Sequence, residues 1–90
     1  MQPTGKLVRI AQGGAKESFE LGQTSINLGR AAENSIVLPE PKVSRRHARL
    51  EWGDGGWEVV DLSSSNGTFV NGERVERRQI GPGDTIQLGD

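Results

Sequence analysis

The chain has no cysteine and no tyrosine, a single histidine, and an aromatic complement of two tryptophans and two phenylalanines. Without cysteine there is no disulfide framework and no thiolate metal site. One histidine is a poor basis for any other metal centre, so no metal and no cofactor are expected. A surplus of positive charge is also missing. Eleven Lys and Arg stand against twelve Asp and Glu, for a formal net charge of -1. A broad electrostatic footprint on nucleic acid is therefore not expected. No run approaches the roughly 20 apolar residues that span a bilayer, and "MQPTGKLVRI" lacks the long apolar segment of a secretory signal. Low-complexity stretches and internal repeats are absent too. What remains is a thiol-free chain of 90 residues, long enough for one domain with a small core.

What is abundant is glycine, thirteen residues of it, cutting the chain into short pieces. Within those pieces apolar side chains alternate. Phe19 and Leu21 alternate with Ser18 and Glu20, Ile26 and Leu28 with Ser25 and Asn27, and Ile86 and Leu88 with Thr85 and Gln87. Period two marks half-buried strands. "AQGGAK", "WGDGGW" and "FVNGERV" place Gly-Gly, Asp-Gly and Asn-Gly between apolar runs, as tight hairpins with positive φ require. "GPGD" reads as another turn. Frequent turns between many short strands predict an all-β, antiparallel sandwich or barrel.

The segment "KVSRRHARLEW", residues 42–52, carries two conflicting patterns. Val43, His47 and Leu50 have helical spacing, whereas Ala48, Leu50 and Trp52 alternate with Arg49 and Glu51. Pro39 and Pro41 bias their predecessors to extended geometry. The expectation is a loop over 39–46 feeding a strand over 47–52, with Trp52 and Trp57 paired across a hairpin. The basic cluster then sits on a loop at a strand end, where binding residues concentrate.

Ser44 and His47 raise the idea of a nucleophile and its base. That chemistry also needs an orienting acid and an oxyanion hole, and no G-x-S-x-G elbow is present. "GGAKES" lacks the full phosphate-loop pattern and reads as a hairpin turn. No enzyme activity is expected. Anion binding has more support. Gly29-Arg30, Ser44-Arg45 and the hydroxyl-rich "DLSSSNGTF" at 61–69 each lie at a strand end. Guanidinium groups with hydroxyl donors suit a phosphate dianion, which brings about -1.5 to -2 charge and three acceptor oxygens. The competing reading of the same residues is a solvated surface with an ordinary serine loop. Arg46, Arg49, Arg74, Arg77 and Arg78 are read as solvated surface.

Taken together, "LGR" (28–30), "NSIVL" (34–38), "VSRRHA" (43–48), "DLSSSNGTFVNG" (61–72) and "GDTIQLG" (83–89) resemble, in order, the blocks of a forkhead-associated (FHA) domain. The resemblance implies an eleven-stranded β-sandwich that reads phosphothreonine on partner proteins through loops at one end, a signalling or assembly adaptor. Arg30 and Ser44 match phosphate-holding positions, and Arg45 matches one that often adds a contact. Ser65 matches a polar position near the phosphothreonine, and Asn66 the residue that bonds peptide backbone. Lys42 lies where some members select the side chain three residues on. Gly29, His47 and Gly67 match residues that shape the loops.

The family has one further strand after the stretch matching "DTIQLGD", so the final strand is expected to be missing from residues 1–90, read as one domain of a longer, multidomain protein. Its neighbour would then offer an exposed edge for self-association. The expected partner is a threonine-phosphorylated protein from a Ser/Thr kinase pathway, met in the cytoplasm, with no nucleic acid and no membrane insertion. The alternative is a scaffold of the same fold that binds partners without phosphate.

Overall fold

The structure, a computed structural model, describes residues 5–10 and 16–89. Ten strands follow in chain order: β1 (Lys6–Ile10), β2 (Lys16–Glu20), β3 (Ser25–Gly29), β4 (Ile36–Val37), β5 (Ala48–Gly53), β6 (Gly56–Asp61), β7 (Thr68–Val70), β8 (Glu73–Val75), β9 (Arg77–Ile80) and β10 (Ile86–Leu88). No helix occurs among the described residues. The helical spacing of Val43, His47 and Leu50 has a different cause. Val43 is buried from a loop, while His47 and Leu50 are fully enclosed at and after the entry to β5.

One layer is a five-stranded sheet in the order β4-β3-β5-β6-β9. All its pairings are antiparallel except β3 with β4, where Leu28 lies opposite Ile36 in parallel register. Parallel neighbours ordinarily need a crossover of a dozen or more residues. Here residues 30–35 suffice because β4 contributes two residues, and the short connection leaves Arg30 on a loop at the strand end. The opposing strands form two pieces, β1-β2 and β10-β7-β8. β1 pairs with β2 and β10 with β7, and each has a second edge without a strand partner among the described residues. An apolar cleft of about 1180 Å3 runs past β1 and β10, lined by residues including Leu7, Ile86, Leu88, Leu50 and Trp57. The eleventh strand implied by the resemblance is not among the described ones.

Alternation places the core. Ile26 and Leu28 of β3, Ala48 and Leu50 of β5, Trp57 and Val59 of β6, Val70 of β7 and Val75 of β8 are buried, with Leu21 and Ile36. β5 begins at Ala48, one residue later than expected, although the His47 amide still donates to the Leu28 carbonyl at 3.0 Å. Trp52 and Trp57 are cross-strand partners with ring centroids 5.2 Å apart and planes tilted by 60°.

The turns follow their chemistry with one difference. Asn71 and Gly72 have φ of 52° and 87°, the pattern of a type I′ turn between β7 and β8. Pro82-Gly83 turns with φ 91° at Gly83, closed by the Asp84 amide donating to the Gly81 carbonyl at 3.1 Å. In "WGDGGW" the positive φ falls on Gly56, at 94°, rather than on Asp54-Gly55. The Gly-Gly turn of "AQGGAK", with the start of "GGAKES", lies outside the described residues.

Leu50 is fully buried at the centre of the larger sheet. Leu50→Ala should destabilise the domain by about 2–5 kcal/mol, measured as a reduced urea midpoint with little change in slope.

Candidate functional site

Three loops meet at one end of the sandwich: 30–35, 41–47 and 62–67. The first two are stitched by backbone. The Arg30 amide donates to the Ser44 carbonyl at 3.0 Å, and the Ala31 amide to the Arg45 carbonyl at 3.1 Å. Arg30 Nε donates to the Val43 carbonyl at 3.0 Å. That bond fixes the guanidinium and leaves its two terminal nitrogens for a ligand, the geometry of a bidentate oxyanion contact.

Gly29 is explained by close approach. A Cβ there would collide with the Arg45 carbonyl oxygen and come within 2.8 Å of Asn34 Nδ2. The same Asn34 amide nitrogen donates to Ala31 O at 2.8 Å and Arg45 O at 2.7 Å. Asn34 is buried, so both its hydrogens are used to hold one loop against the other.

His47 joins the second loop to the third. Its ring is completely buried. Nδ1 faces the Ser44 amide at 3.0 Å, and an amide N–H can only donate. Nε2 faces the Gly67 carbonyl at 2.7 Å, which can only accept. The ring is therefore the neutral tautomer with hydrogen on Nε2. This geometry removes the nucleophile-and-base arrangement, because His47 bonds the amide of Ser44 and not its hydroxyl.

The Ser44 hydroxyl instead accepts the Ser65 amide at 3.0 Å. Its own hydrogen stays available to donate. Asn66 Nδ2 donates to the Lys42 carbonyl at 3.0 Å, while its Oδ1 and second amide hydrogen have no partner among the described residues. Arg45, Ser65 and Asn66 are exposed at this end. Arg30, Lys42, Ser44, Arg45, Ser65 and Asn66 are thus brought together, with Gly29, His47 and Gly67 behind them.

Behind the third loop lies a brace that the sequence reading missed. Asp61 Oδ1 accepts the Ser64 hydroxyl at 2.5 Å and the Thr68 hydroxyl at 2.7 Å, and Oδ2 accepts the Ser64 amide at 3.2 Å. The Ser64 hydroxyl oxygen then accepts the Gly67 amide at 3.0 Å. Ser63 adopts φ of 58° inside this loop, a left-handed conformation costing about 1–2 kcal/mol that the Asp61 bonds offset. An Asp with Ser three residues on is a local turn signal, and it was legible in "DLSSSNGT". Nothing in sequence marked Asn34 as a clamp. Partial burial pushes the Asp61 carboxyl up, but the Ser64 and Thr68 hydroxyls and the Ser64 amide outweigh it and hold the group below the usual range. Among the described residues no cluster of His, Cys, Asp and Glu could hold a metal.

With this geometry in place, comparison with known proteins is decisive about the class. The fold and the loop cluster are those of a β-sandwich recognition module, and residues 26–89 match the FHA domain. The chain belongs to the FHA family. It is 39% identical over 89 residues to the oxoglutarate dehydrogenase inhibitor of Corynebacterium efficiens, covering 97% of this chain and 63% of that protein. It is 45% identical over 71 residues to an ABC transporter ATP-binding/permease protein of Mycobacterium tuberculosis, covering 79% of this chain and 8% of that one. Among solved structures, the FhaA FHA domain, complexed with the intracellular domain of another protein, superposes with TM-score 0.84 at 33% identity over 94% of this chain and 92% of its own.

Asp61 titrates lower in the fold than in the unfolded chain, so its bonds stabilise the domain at neutral pH and are lost as pH falls through the folded value. The melting temperature should drop on acidification below about pH 4. Asp61→Asn should melt lower at neutral pH and show a flatter acid limb, read by circular dichroism across a pH series.

Proposed function

We propose that this domain is a phosphothreonine-binding module that recruits threonine-phosphorylated partner proteins. One observation carries the reading: Arg30, Ser44, Arg45, Ser65 and Asn66 come from three separate loops to one end of the fold, where the terminal nitrogens of Arg30, the Ser44 hydroxyl hydrogen and half of the Asn66 amide are left unused among the described residues. Arg30, Ser44 and Arg45 hold the phosphate. Ser65 and Asn66 bond the peptide, Asn66 through its free amide groups, and Lys42 faces the residues that follow the phosphothreonine. Gly29, His47 and Gly67 shape the loops. A solved FHA domain studied for phosphothreonine-dependent interactions, TM-score 0.80 at 33% identity over 93% of this chain and 84% of its own, supports this ligand class.

The module binds and does not catalyse, consistent with the bonding of His47. It acts in the cytoplasm downstream of a Ser/Thr kinase. It serves as one domain of a longer protein, since the chain spans 63% and 8% of the two curated relatives above. No helix among the described residues is long and apolar enough to cross a membrane. The unpartnered edges of β1 and β10 beside the apolar cleft give the second part of the proposal, pairing between two copies of this chain along that edge.

Hydrogen bonds to charged groups contribute about 1.5–3 kcal/mol each. Several of them, less the cost of ordering a peptide, give a Kd on the order of 1 μM. A degenerate phosphothreonine peptide pool should bind in that range. Its phosphoserine counterpart should bind a few-fold more weakly, by the ~0.8 kcal/mol of one methyl, and the unphosphorylated pool should not bind. Arg30→Ala should weaken binding at least about tenfold with melting nearly unchanged. Equal binding of phosphorylated and unphosphorylated pools would point to the phosphate-independent scaffold instead. Sedimentation velocity over a concentration series checks the edge pairing: a growing dimer fraction is expected, and a monomer throughout contradicts it.

A further inference from the structure

The arginines that look alike in sequence are sorted by their partners. Arg49 pairs with Glu51 at 2.8 Å, Arg77 with Glu58 at 2.8 Å, and Arg78 with Glu73 at 3.6 Å. Arg74 of β8 is exposed and has no carboxylate partner among the described residues. It lies against the third loop. Its register partner is Phe69, and its side chain leans diagonally onto Gly67, two residues before. A Cβ on Gly67 would lie 2.8 Å from Arg74 Nε and 3.0 Å from its Cζ. Gly67 has φ of 91°, so the backbone favours glycine there, and its missing side chain leaves room for the guanidinium. Gly67 directly follows Asn66, whose free amide groups face the proposed peptide.

An exposed, uncompensated guanidinium resting on the loop that bonds a peptide is suited to donate to a carboxylate. We propose that Arg74 is a specificity-determining residue: it bonds an acidic side chain of the partner on the stretch that passes Asn66. This inference rests on the phosphothreonine reading and adds to it a second charged contact outside the phosphate cluster. It also moves Arg74 out of the group of solvated arginines.

The test separates the two claims. A phosphothreonine peptide with alanine and glycine flanks is compared with versions carrying one glutamate walked through each flanking position. For the unaltered domain the neutral peptide should bind, and glutamate at one position should tighten binding about fivefold, the scale of a well-placed exposed ion pair. The gain should shrink as salt is raised. Arg74→Gln should lose that gain and keep its affinity for the neutral peptide, and Arg74→Lys should recover part of it. A gain that survives Arg74→Gln, or no gain at any position, overturns the assignment of Arg74. Failure of the neutral phosphopeptide to bind the unaltered domain overturns the phosphothreonine reading and this inference together.

Discussion

A neutral imidazole sealed inside the sandwich is the constraint on which the loop end depends. His47 cannot reach water, so each ring nitrogen must find a partner of the right kind. It finds the Ser44 amide on one side and the Gly67 carbonyl on the other. The first closes the second loop on itself, and the second reaches 20 residues along the chain and fixes the separation of two loops. The Ser44 hydroxyl, displaced from any role with the ring, is left facing the Ser65 amide and the solvent. Position and freedom to donate follow from the same bond.

Around this centre the remaining loops are pinned by groups that never need to touch a ligand. Asn34 uses one amide nitrogen on two carbonyls, and Gly29 permits the approach that makes this possible. The Asp61 carboxylate gathers two hydroxyls and an amide and so carries the strain at Ser63. The groups left over, the terminal nitrogens of Arg30, the Ser44 hydrogen and half of the Asn66 amide, share one surface. A domain with net charge -1 can present such a surface because its carboxylates are distributed unevenly. Glu51, Glu58 and Glu73 compensate Arg49 of β5 and Arg77 and Arg78 of β9. Exposed pairs of that kind contribute about 0–1 kcal/mol to stability, so their main effect is to decide which cations remain uncompensated.

Much of this was legible in the residues. Ile26/Leu28 and Ala48/Leu50 gave their faces by alternation, Asn71-Gly72 gave its turn, and the tryptophan pair gave its register. The ordered blocks from Leu28 to Gly89 identified the family, and the motif residues are indeed found together. Four things were beyond reach because they depend on how segments meet in three dimensions. The parallel pairing of Leu28 with Ile36 runs against the hairpin logic that neighbouring segments suggest. The clamp at Asn34 and the resting place of Arg74 on Gly67 link residues that no periodicity relates. The opposing layer, divided between β1 and β10, depends on which strands meet and not on how each one is patterned.

The most direct measurement is a backbone amide and imidazole NMR titration with one phosphothreonine peptide. The account predicts the largest shifts at the amides of Arg30, Ser44, Arg45, Ser65 and Asn66, with His47 showing hydrogen on Nε2 before and after binding. Shifts centred on β1 and β10, or a His47 ring that changes tautomer on binding, would contradict a prearranged site built on that imidazole.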